Sequence, residues 1–220
     1  MYIFQEFASK GNAHDYIKSA SNDSLVDEST ALGWAQSIYS ALDHCGALGI
    51  AHRAIEPSHV LLVVATAGGD SVVVAKLGGF HNAVIYYDPE RCDLVDLPCK
   101  SPGKRPFYPY QAPEVFGESG EYFNVVDADV WSFAATFLFI AGRLEPQEMI
   151  KDKAPSSSSS SSSSSLDDII FKNIDAVARL SEAAKYFFFG CLRANTAQRT
   201  SFDAIALDSW MQGDQQSPSV

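Results

Sequence analysis

The stretch Ala51-His52-Arg53-Ala54-Ile55-Glu56-Pro57-Ser58-His59-Val60-Leu61-Leu62 decides the fold. Its polar middle lies between a helix and a strand. Upstream, residues 29–48 carry Leu32, Ala35, Ile38, Tyr39, Leu42 and Cys45 near the 3.6-residue period, and the helix closes at Gly46 or Gly49. Downstream, the β-branched runs 60–64 and 72–77 flank Gly68-Gly69-Asp70, which predicts a β-hairpin.

Outward from that centre, residues 2–7 read as a short strand and 12–19 as a helix. Residues 82–111 read mostly as loop. Residues 130–141 predict a helix apolar all round, opened by Asp127 and Asp129 and closed by Gly142, hence central. Residues 156–165 are ten consecutive serines, a tract that buries nothing and reads as a flexible insertion whose deletion should leave stability unchanged. Helices follow at 181–192 and 201–211, and the tail 212–220 should fray. The prediction is a mainly α chain with one small hairpin.

Sixteen basic and 27 acidic residues among 220 give a net charge of −11. Nucleic acid and anionic membranes demand the opposite balance. The longest apolar window, 12 residues, is short of the ~20 that a membrane span needs, so no membrane insertion is expected. Cys45, Cys92, Cys99 and Cys191 form no CxxC pair and read as reduced thiols of a cytoplasmic protein, with no metal site.

The order of short motifs resembles the eukaryotic protein kinases. Residues 51–62 resemble the catalytic loop H-R-D-x-K-P-x-N and its following strand. Lys76-Leu77-Gly78-Gly79-Phe80-His81 falls where the metal-binding D-F-G would stand, and Gln111-Ala112-Pro113-Glu114 resembles the A-P-E that ends the activation segment. Asp129-Val130-Trp131-Ser132 resembles the start of the family's buried central helix, and Arg199 its late arginine. The resemblance covers residues 1–211. It is nearest the calcium/calmodulin-dependent kinase group, including the serine kinase scaffolds joined to guanylate kinase domains and the testis-specific serine kinases. It implies the large, C-terminal kinase lobe. The small lobe reads as absent, since no Gly-rich loop, V-A-I-K lysine or partnering helix glutamate is found.

The resemblance also assigns roles. In the family an aspartate accepts the substrate proton where this chain has Ala54. Glu56 replaces a phosphate-steadying lysine, His59 a metal-binding asparagine, and Gly79 the metal-binding aspartate. Phe107 stands where a threonine meets the catalytic aspartate. No catalytic or cofactor-binding group is therefore intact, and neither ATP nor magnesium is expected to bind. His52, Arg53, Phe80, Glu114, Asp129 and Arg199 remain as structural residues. By resemblance Glu114 pairs with Arg199, Asp129 holds the catalytic loop, and His52 stacks on Phe80. The plainer alternatives are a simple helix cap at Asp129 and two ordinary core residues at His52 and Phe80. Positions 54, 56, 59 and 79 are expected to face solvent and accept the family's residues.

The expected function is a catalytically stripped kinase-like scaffold that binds proteins, one of them covering the face a small lobe would cover. The alternatives are a serine/threonine kinase with an unusual site and a small lobe missing from this chain, using ATP and magnesium, and a non-functional fragment.

Overall fold

The computed structural model describes residues 5–19, 26–67, 69–88, 90, 93–94, 109–116, 122–146 and 165–213. Phe107, the serines 156–164 and the tail from 214 lie outside them.

Helix α1 (Ala13–Ser19) leads to α2 (Glu28–Ala47), which Asp27 caps by accepting the Thr30 N–H at 2.8 Å. The pair β1 (Ile50–Ala51) and β4 (Val84–Ile85) brackets the catalytic-loop region. Between them β2 (Val60–Ala67) and β3 (Asp70–Leu77) form the hairpin, in register from Val60–Leu77 to Ala67–Asp70. A third pair joins β5 (Tyr87–Asp88) to β6 (Asp93–Leu94). The segment read as loop thus holds three two-residue strands. Gly49 makes room for one of them: its φ is +70°, its carbonyl accepts the Tyr86 N–H at 2.8 Å, and a Cβ there would strike the Tyr87 carbonyl.

The N-terminal strand is not found at Gln5–Phe7. The edge of β2 is met by residues 10–12 instead: the Lys10 N–H donates to Leu62 O at 3.0 Å, and Gly11 O accepts the Leu62 N–H at 2.8 Å.

Helix α3 (Val125–Gly142) is the centre, and all of it except Val126 and Asp127 is buried. It is longer than its apolar run predicts. Asn124, not Asp127 or Asp129, is the N-cap, and Arg143 in the left-handed region closes it. Among the described residues it is the helix long and apolar enough to cross a membrane, but neighbouring elements bury 89% of it, as for a core helix. Beyond it come α4 (Leu166–Asp175), α5 (Glu182–Cys191) and the single turn α6 (Phe202–Ile205).

Residues 201–211 are therefore not one helix. Trp210 is drawn between Phe187 and Phe188, with ring centroids 4.9 and 5.0 Å away, and its Nε1–H donates to Glu28 at 3.1 Å. Glu28 also accepts the Ser181 N–H at 2.7 Å, so one carboxylate ties together α2, α5 and the C-terminal turn.

Helix α4 escaped the sequence reading because its cap is the last serine of the tract. Ser165 accepts the Asp168 N–H at 3.1 Å while Asp168 accepts the Ser165 N–H at 3.0 Å, a capping box. The tract is therefore divisible. Deleting 156–164 should leave the unfolding midpoint in urea nearly unchanged, because loop-closure entropy varies slowly with length. Ser165→Ala should cost about 1 kcal/mol by the same measurement. Equal effects would show that Ser165 does not cap α4.

Candidate functional site

Asp129, in the second turn of α3, holds the backbone of residues 52–53. Its Oδ2 accepts the His52 N–H at 2.7 Å and its Oδ1 the Arg53 N–H at 2.8 Å. Two bonds to a distant segment are not helix capping, so the plainer reading of this residue fails. Burial pushes the Asp129 carboxyl up to about 6 while the Arg53 and His52 N–H groups pull it down. Arg53 has φ +61°, a strained turn that sets the loop's direction.

His52 is fully buried. One ring nitrogen, Nε2, meets Gly78 O at 2.8 Å, and the other, Nδ1, accepts the Ala54 N–H at 3.3 Å. Those partners fix the neutral tautomer with its proton on Nε2. Burial pushes this imidazole down to about 4. Phe80 packs edge-on against it, centroids 4.8 Å apart, yet 47% of Phe80 is exposed, so it is not an ordinary core residue.

Ala54, Glu56 and His59 line one cleft, and Gly79 lies against the His59 ring without lining it. A cleft of about 440 Å³ runs between residues 53–59, the His81–Asn82 turn, residues 110–116 and the first half of α3. Ala54 presents no acceptor side chain, and its carbonyl accepts the His59 Nδ1–H at 2.6 Å. The other His59 nitrogen lies 3.8 Å from Glu56, which also accepts the Ser58 hydroxyl. Gly79 has φ +79°, and a Cβ there would run into the His59 ring. With His59 in place an aspartate at position 79 would clash, so it is expected to fit only together with His59→Asn. The His59 ring takes the space, so the two changes are sterically one unit. Among the described residues no three His, Cys, Asp or Glu side chains converge on a metal position.

Four residues in and beside the cleft were not foreseen. His81 stands edge-on to His59 at 5.2 Å, and Ser58 ties down Glu56. Tyr110 donates to Glu145 at 3.5 Å, and burial between Glu145 and Glu56 drives its phenol far above the ordinary range. Tyr110 and Glu145 are 35 positions apart, and no local spacing signals the pair.

Below the cleft, Arg199 forks onto Glu114: NH1 to Oε1 at 2.6 Å and NH2 to Oε2 at 2.9 Å. NH1 also donates to Asp127 O at 2.7 Å, while Nε and NH2 reach Arg193 O at 3.0 and 2.9 Å. All five guanidinium N–H groups are used, and Arg199 Cζ lies over the Trp131 ring, 5.2 Å from its centroid.

Residues 1–211 match the family described as protein kinase domain. The probable serine/threonine-protein kinase KCC4 of Saccharomyces cerevisiae is 30% identical over 145 residues, 66% of this chain and 12% of that protein. CBL-interacting serine/threonine-protein kinase 26 of Arabidopsis thaliana is 28% identical over 145 residues, covering 66% and 29% of the two chains. CBL-interacting protein kinase 9 of Oryza sativa is 25% identical over 222 residues, 99% of this chain and 42% of that protein. The chain spans less than half the length of these curated relatives. With the motif order, the fold and this match in agreement, the chain belongs to the protein kinase domain family.

Proposed function

We propose that this chain is a cytoplasmic kinase-fold module, built as the large lobe, that binds proteins and does not transfer phosphate. The observation that carries the reading is the Glu56–His59–Gly79 arrangement. A carboxylate stands where charge neutralisation of a phosphate is needed, and an imidazole fills the space where a metal-ligating side chain would begin. Phosphoryl transfer is mostly positioning and electrostatic stabilisation, and these residues supply neither. The site does not fit magnesium–nucleotide: Gly79 has no side-chain ligand, Nδ1 of His59 is committed to Ala54 O, and a ring nitrogen is a poor partner for a hard cation that prefers oxygen ligands. The face carrying half-exposed Phe80 is where a protein partner would pack. The net charge of −11 argues against nucleic acid and anionic membrane as partners.

The purified chain should show no rise in melting temperature with Mg²⁺–ATP. Binding at a hundredfold excess over Kd would add about 2.7 kcal/mol, and a stabilisation of that size would overturn the reading. The names of the relatives favour a second reading, an ATP-dependent serine/threonine kinase with an unusual site. Incorporation of labelled phosphate into a serine peptide, abolished by mutation of the cleft, would establish that reading.

A further inference from the structure

We propose that His59 is a latch that holds the Gly78–Asn82 turn, and Phe80 with it, against His52 in the absence of any ligand. Three contacts from the catalytic loop converge on this turn. His59 O accepts the Gly78 N–H at 2.9 Å, His52 Nε2 donates to Gly78 O at 2.8 Å, and the His59 ring lies under the left-handed backbone of Gly79. The ring itself cannot drift. Its Nδ1–H is fixed on Ala54 O at 2.6 Å, Glu56 lies 3.8 Å from its Nε2, and His81 covers one edge at 5.2 Å. A rigid ring pinned on one loop and fitted to a glycine of the other couples the two loops through direct contacts.

Gly79 is the matching half of the device. Only a residue without Cβ leaves room for the ring, and its φ of +79° turns the chain so that Phe80 faces His52. The latch would keep Phe80 in one position, edge-on to His52 and 47% exposed, as a fixed apolar feature of the surface. A partner that docks there would meet a pre-set ring and would not have to order it. The latch operates whether or not the chain transfers phosphate, so its test is separate from the nucleotide test above.

The test is hydrogen exchange and NMR on the full chain without ligand, comparing wild type, His59→Ala, Gly79→Ala and the double variant. In wild type, a nuclear Overhauser contact between the His52 and Phe80 rings should be present. In His59→Ala that contact should vanish, and the amides of Gly78 and Ala83 should exchange about tenfold faster or more, while Val63 and Val74 in the hairpin keep their rates. Gly79→Ala, by expelling the ring, should give the same local pattern, and the double variant should be no worse than either single one, as for two halves of one contact. Unchanged exchange at Gly78 and Ala83, additive effects, uniformly faster exchange across the chain, or a His59→Ala protein that does not fold would each overturn the proposal. The last two would make His59 an ordinary packing residue.

Discussion

Arg199→Met should lower the free energy of unfolding by roughly 3–5 kcal/mol, measured by urea denaturation at neutral pH. Methionine keeps most of the side chain's length and apolar stem but removes five N–H donors. The Glu114 carboxylate, whose side chain is 17% exposed, then has no counter-charge, and Asp127 O and Arg193 O lose their donor. The loss comes mainly from what remains unpaired, since a buried pair as a whole gives little net stability against an apolar substitute. Arg199→Met with Glu114→Leu should therefore recover part of the deficit. Arg199→Lys should recover little, because one ammonium group cannot reach Glu114, Asp127 O and Arg193 O together. A strictly additive double variant would show that Glu114 and Arg199 do not act as a unit.

The fold was legible wherever the signal was local. The β-branched runs either side of Gly69 became the β2–β3 hairpin, and an apolar run with no polar face became the central helix. The start of α3 was missed because Asp127 and Asp129 look like caps. Asp129 is instead drawn to backbone N–H groups 76 and 77 positions away, a demand that no window around residue 129 expresses. Helix α4 was hidden because low complexity was read through to its end, although Leu166, Ile170 and Ile174 follow helical spacing. The run 201–211 carries a helical pattern that tertiary packing overrides, since Trp210 contributes more between Phe187 and Phe188 than it would on a surface helix. For the site, motif order brought positions 54, 56 and 59 to one cleft and position 79 against the His59 ring. Their steric linkage was not legible, because it depends on the left-handed backbone at Gly79 and the direction of one imidazole.

Asp129→Asn should have a stability cost that depends on pH. An amide offers one acceptor to two N–H donors, so the His52 or Arg53 N–H would face an NH₂ group and stay unpaired, at about 1–3 kcal/mol at pH 7. Two buried groups here titrate in opposite senses. His52, pushed down from 6.5 to about 4, contributes stability that is present above its unfolded value and lost as pH falls through 4. Asp129, pushed up from 3.8 to about 6, contributes stability that is present below 3.8 and lost as pH rises through 6. Between pH 6 and 4 the two offset each other in the wild type. Asparagine removes only the compensating half, so acidification exposes the His52 loss without opposition. A tenfold difference in acidity between the folded and unfolded chain corresponds to about 1.4 kcal/mol. The gap between wild type and Asp129→Asn should then widen by roughly 2–3 kcal/mol from pH 7 to pH 4. Urea unfolding of both proteins at pH 7, 5.5 and 4 measures it. A gap that stays constant across those values would mean that the Asp129 carboxyl keeps an ordinary acidity in the fold, with its two backbone donors outweighing burial.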